Sequence, residues 1–303
     1  MTTELDGVLV IDKPPGCTSQ QAVNRVKHRL ADEAGISVKK LKVGHAGTLD
    51  PMATGVLVVG VGRATRLLGF IAGHGKQYMA TIRLGQTTTT DDAEGEPVGE
   101  PLDATGLTDA VINAAIVGLT GDIEQVPSAV SAIKVDGKRA YALARAGLDV
   151  VLASRAVNVS RFEVLTRNDA APFADLEVVV DCSSGTYIRA LARDLGAELR
   201  VGGHLTALRR TRVGAFDIEA AVPLDDAAWA NVSPLEDVAP RLFEVVTVGA
   251  GKAADVSHGR ALEFTVPSNP TAVIGPAGEF LALYQPDGKR SVPLAVFVNG
   301  VGE

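Results

Sequence analysis

The sequence predicts a large mixed α/β domain followed by a small β-rich one, and three observations carry that expectation. First, up to about residue 230, short apolar runs with strand-like alternation interleave with stretches whose apolar residues recur at helical spacing. Second, the composition shifts around residues 228–240. Third, the remaining segment carries short apolar runs at 272–274, 280–283 and 294–298, separated by Gly, Pro and Asn, which is the pattern of a small β domain. The expected division is 1–245 and 246–303, and both parts are of ordinary domain size.

Taken in order, residues 8–11 read as a buried strand, closed by the turn Asp12-Lys13-Pro14-Pro15-Gly16. Ser19 is placed to cap a helix reaching about Leu30, with Ala22, Val23, Val26 and Leu30 on one face. The polar, basic stretch 31–42 reads as a loop, and 55–62 as a short buried strand. Residues 78–84 alternate as a strand, 85–100 form an acidic loop, and 108–119 have helical spacing. Another strand is expected at 176–182. Ile188, Leu191 and Leu195 then mark one face of a helix ending near Gly196.

With 46% hydrophobic and 21% charged residues, the chain has the composition of a globular protein with a sizeable core. No apolar run approaches the roughly 20 residues that span a bilayer. No basic segment precedes residues 8–11, so a signal peptide is not expected and the chain is read as cytoplasmic. Cys17 and Cys182 make no CxxC, and the five histidines are scattered, so nothing asks for a metal. The net charge of −7 speaks against a nucleic-acid partner, but the distribution speaks for one. Lys and Arg crowd residues 13–76 and again 189–212, whereas 91–124 contains neither. Phosphate binding needs a local basic surface rather than a basic total.

The stretch richest in chemistry is Gly44-His45-Ala46-Gly47-Thr48-Leu49-Asp50-Pro51-Met52-Ala53-Thr54-Gly55. Its glycines and proline build a tight loop, and Pro51 holds Asp50 extended, fixing a short carboxylate in direction. The bland alternative is an Asp that merely caps a turn. The stretch resembles the signature of the bacterial tRNA pseudouridine-55 synthase family. Its core, Gly-Thr-Leu-Asp-Pro, is shared with RNA-guided relatives and so fixes the superfamily rather than the substrate. Three further segments resemble the bacterial branch: Gly7 to Gly16, Gln125-Val126-Pro127-Ser128 continuing to Gly147, and Cys182-Ser183-Ser184-Gly185-Thr186-Tyr187-Ile188-Arg189.

The resemblance implies a pseudouridine synthase fold, in which a mixed, largely antiparallel sheet is flanked by helices, with a C-terminal PUA-like RNA-binding domain. It implies Asp50 as nucleophile, Tyr78 as the aromatic face for an extruded uracil, and Tyr187 as a hydrogen-bonding partner of the base. It further implies Arg189 paired with Asp50, His45 near the flipped nucleotide, Leu208 closing the pocket, and Lys13 supporting the loop. The implied substrate is the tRNA T-stem-loop. No cofactor and no obligatory protein partner are expected, and the chain is expected to be monomeric.

The chemistry matches that set. Isomerisation breaks N1–C1′, turns the base and rejoins it through C5, with no redox step. A carboxylate can attack C1′ or C6, or stabilise a charged sugar intermediate, and an arginine offsets the cost of burying that carboxylate. The rivals are an isomerase acting on another RNA, a tRNA-folding chaperone, and a two-carboxylate glycosidase. The last is disfavoured because no second acid lies in the matched motifs.

Overall fold

The computed structural model describes residues 5–128 and 152–298, together with the strands Lys134–Val135 and Lys138–Arg139. Of the 125–147 motif, only 125–128 and those two short strands fall inside this range; the rest lies outside the described residues.

A ten-stranded sheet forms the body. Its main path runs Val222–Pro223, Gly7–Lys13, Thr54–Val61, Gly203–Val213, Lys76–Leu84, Phe173–Cys182, Arg155–Ala170 and Gly121–Gln125. Two of its pairings are parallel, Gly7–Lys13 with Val222–Pro223 and Thr54–Val61 with Gly203–Val213; the other described pairings are antiparallel. Thr54–Val61 is apolar almost throughout because both faces of the sheet are covered. Leu57, Val59 and Val61 join one core with Val23, Val26 and Leu30 of the helix Ser19–Glu33 and Leu191 and Leu195 of the helix Ile188–Glu198. Val56 and Val58 join the other. That second core holds Ile71 of the helix Leu68–Gly73, Val238 of the helix Leu235–Leu242, and Ala272, Phe280 and Leu283 of a second sheet. The second sheet is four-stranded, in the order Glu244–Thr247, Thr271–Ile274, Phe280–Asp287, Arg290–Val296.

Three local expectations are corrected. The first helix is capped by Thr18, not Ser19. Thr18 Oγ1 accepts from Gln21 N at 3.1 Å, and Gln21 Oε1 accepts from Thr18 N at 2.8 Å, a reciprocal capping box. The helix also runs on to Glu33, into the expected loop. Gly196 does not end the helix Ile188–Glu198. It lies within it, where a Cβ would collide with the Gly202–Gly203 backbone, so the residue is small to let the strand pass close.

Candidate active site

Asp50 sits in the loop between the strands Val43–Ala46 and Thr54–Val61, and the surrounding residues hold that loop at several backbone positions. Ser19 Oγ, freed from capping, donates to Leu49 O at 3.0 Å and accepts from Leu49 N at 2.8 Å. Lys13 is fully buried and donates from Nζ to Pro51 O (3.2 Å), Pro14 O (2.9 Å) and Cys17 O (2.7 Å). Gly16 N reaches Pro51 O at 2.9 Å. Arg210 donates to Gly47 O at 3.0 Å and Thr48 O at 3.5 Å. Gly55, at φ +100°, follows the loop where a Cβ would strike the Arg210 carbonyl, so only glycine allows the two parallel strands to close here. The carboxylate therefore projects from a loop with little freedom to drift.

Arg189 lies in the first turn of the helix Ile188–Glu198 and is 5% exposed. Its Nε meets Asp50 Oδ2 at 3.1 Å. Its Nη1 meets Asp92 Oδ2 at 3.1 Å and donates to Thr90 O at 3.0 Å. The guanidinium thus bridges two carboxylates. Asp92, in the acidic loop 85–100 and outside the matched motifs, is a buried acid that the fold brings to the site. Its other oxygen accepts from Thr90 Oγ1 and Glu94 N. One turn along the helix, Arg193 ties the same region together through Asp91 Oδ2 (3.3 Å) and Val126 O (2.8 Å).

Burial raises the Asp50 carboxyl above its usual range; Arg189 and Lys13 oppose that shift and Asp92 adds to it. Arg189 therefore offsets only part of the cost of burial.

Tyr78 is buried on the strand Lys76–Leu84, opposite Arg210 in register on Gly203–Val213. Burial raises its phenol above the usual range, against the nearby charge and hydrogen bond of Arg210. Tyr187 precedes the helix, and its peptide is gripped by Gln125, which donates to Tyr187 O at 3.1 Å and accepts from Tyr187 N at 2.8 Å. Asp50, Tyr78, Tyr187, Arg189 and Leu208, with Lys76 and Arg210, line one cavity of about 300 Å³. Lys13 lies beneath the loop as a support. His45 is not among the cavity-lining residues. It pairs with Val59 behind the loop, and burial followed by Arg210 holds its imidazole below the usual range.

Sequence reasoning named neither Arg210, Lys76, Asp92 nor Gln125 as site residues. Strand alternation holds a signal for the first two. Lys76 shares a face with Tyr78, and of the consecutive arginines Arg209 and Arg210 one must point inward. The basic clusters also prove to be partly internal. Arg209 pairs with Asp12 at 2.7 Å and Arg212 with Asp181 at 2.6 Å, while Arg25, Lys39, Lys40, Lys42 and Arg200 remain exposed.

The sequence family described as TruB family pseudouridylate synthase (N terminal domain) matches residues 35–188. The chain belongs to this family. The two related C-terminal domains match residues 189–245 and 243–298. The chain is 55% identical to the tRNA pseudouridine synthase B of Cutibacterium acnes over 293 residues, covering 96% of each protein. It is 52% identical to that of Thermobifida fusca over 299 residues, covering 97% of this chain and 99% of the relative. Among solved structures, a chain in the crystal structure of a Cbf5-Nop10-Gar1 complex matches 97% of this chain and 85% of its own length, with a TM-score of 0.70 and 25% identity. The TruB-family fold and the mixed sheet read from the sequence therefore agree. The acid–arginine–acid bridge and the tyrosine beside it lie within and just past the segment matched to the TruB N-terminal domain.

Proposed function

We propose that this chain isomerises uridine to pseudouridine at position 55 of the tRNA T-loop. The observation that carries the reading is Asp50, presented on a clamped loop 3.1 Å from Arg189 and lining the same cavity as Tyr78. The target base leaves its stack, at a cost of a few kcal/mol, and enters the cavity against the Tyr78 ring, where stacking returns roughly 1–3 kcal/mol. Asp50 attacks the flipped nucleotide, Tyr187 bonds the base and Leu208 closes over it. The small sheet, with the division near residue 245, serves as an RNA-binding domain. The test is to incubate the pure protein with tRNA transcripts and map the product. Pseudouridine is expected at position 55 and absent from a transcript with cytidine there. Product at another uridine, or none, overturns the assignment.

Tyr78 separates two roles. Tyr78→Phe keeps the ring and removes the hydroxyl; Tyr78→Leu removes both. tRNA affinity is expected to survive in the first and to weaken by about 1–3 kcal/mol at most in the second. Single-turnover rates are expected to fall severely in both, because the hydroxyl, on the strand position opposite Arg210, takes part in handling the C5 proton. A Phe variant as fast as the parent confines Tyr78 to stacking.

A further inference from the structure

Two more cations line the cavity. Lys76 lies two residues before Tyr78 on one strand, and residues 76, 78 and 80 alternate inward. Its Nζ donates to Ala72 O and His74 O, each at 2.9 Å, at the end of the helix Leu68–Gly73. An ammonium has three N–H donors, so one is left for the cavity that Lys76 lines. Arg210 comes from the neighbouring strand, where it lies opposite Tyr78 in register, and donates to Val56 O at 2.8 Å as well as to the Asp50 loop. Lys76 is 8% exposed and Arg210 is 1% exposed. Among the described residues neither forms an ion pair with a carboxylate, whereas Arg189, Arg193, Arg209 and Arg212 each do. Buried charge is costly unless it is compensated. Two such cations on one cavity wall, without a carboxylate partner among the described residues, fit an anion that arrives with the substrate.

Resting on the isomerisation proposed above, we propose that Lys76 and Arg210 are catalytic residues that stabilise the negative charge developing on the uracil ring as it leaves C1′. When N1–C1′ breaks, the bonding pair goes to the base and spreads from N1 over O2 and O4, while the electron-poor C1′ is met by the Asp50 carboxylate. When C5–C1′ forms, the pair on the base makes that bond and the Asp50 carboxylate leaves C1′ with its own pair. C5 then loses its proton and N1 gains one, so composition is unchanged. Fixed donors in a buried site act on such charge far more than they would in water. The charged groups facing Lys76 agree with this role. Burial, then Arg210, lowers its ammonium to about 8, against Cys182. Burial pushes the Cys182 thiol up to about 11, so that group stays neutral. Burial and Lys76 hold the His74 imidazole low, and the Tyr78 phenol is held high. Lys76 is therefore still charged at neutral pH and loses its charge above about 8.

The test uses Lys76→Gln and Lys76→Arg in the full-length protein, each checked for its melting transition and tRNA affinity. The Gln variant is expected to lose about 10²–10³-fold in single-turnover rate with affinity retained. The Arg variant is expected to keep most of the rate and to hold it at alkaline pH, where the parent falls. A folded Gln variant at parental rate, or an Arg variant whose alkaline fall matches the parent's, overturns the proposal. A second measurement applies even if Lys76→Gln does not fold: competition by free bases for the parent. Barbiturate, anionic at neutral pH, is expected to displace tRNA at lower concentration than neutral uracil, and the reverse order overturns the proposal. A parent that forms no pseudouridine refutes the isomerase reading itself, while the base competition still decides whether the cavity selects an anion.

Discussion

Asp50→Asn is expected to abolish pseudouridine formation, by on the order of 10⁴-fold or more, while tRNA affinity stays within about tenfold. Asn preserves shape and removes the charge that attacks the flipped nucleotide. The loop does not depend on that charge. Ser19, Lys13 and Arg210 hold Leu49, Pro51, Gly47 and Thr48 through their backbone groups. The stability sign follows from the raised carboxyl. A carboxyl whose folded pKa exceeds its unfolded one favours folding at low pH, and that contribution is lost as pH rises through the folded value. At neutral pH the ionised Asp50 thus weighs against the fold, and Asp50→Asn is expected to melt no lower than the parent. The parent's rate should show an acid limb above the ordinary carboxylate range, because Asp50 must be ionised to act. Turnover by the pure Asn variant well above background refutes Asp50 as the reacting group. A limb at the ordinary carboxylate position refutes the claim that burial dominates its ionisation.

The residues on the Asp50 loop were legible in the sequence because their local geometry is written locally. Pro51 restricts Asp50, and Gly47 and Gly55 take up positive φ where the chain reverses. The strands Gly7–Lys13, Thr54–Val61 and Lys76–Leu84 were legible because their apolar pattern has period two or is continuous. Asp92 was not legible as a site residue. Its burial depends on the helix Ile188–Glu198, which lies far along the chain and brings Arg189 to it; locally it belongs to a run of Thr, Asp and Glu that reads as a solvated loop. Arg210 escaped notice for a related reason. Its partners are backbone carbonyls from another strand and another loop, and backbone acceptors leave no trace in sequence. The same tertiary pairing misled the charge reading, because Arg209, Arg212 and Arg193 spend much of their charge on Asp12, Asp181 and Asp91.

Arg189→Lys is expected to lose about 10²–10³-fold in single-turnover rate, although its formal charge is kept. Three acceptors at different bearings, Asp50 Oδ2, Asp92 Oδ2 and Thr90 O, are met by Nε and Nη1 of one rigid plane. A lysine ammonium is a single point on a flexible stem and cannot occupy both nitrogen positions. It will settle on the more buried acid, Asp92, and leave Asp50 unoriented. Asp92→Asn provides the comparison. It keeps the guanidinium and most of the hydrogen bonding but removes a negative charge that holds the Asp50 carboxyl up. Its rate loss should be smaller, and its acid limb should move to lower pH. In Arg189→Lys the limb should move the other way if the ammonium abandons Asp50. Equal rates for Arg189→Lys and the parent would show that the bridge is not what aims the carboxylate. Limbs that coincide in all three proteins would show that Asp92 and Arg189 do not set the ionisation of Asp50.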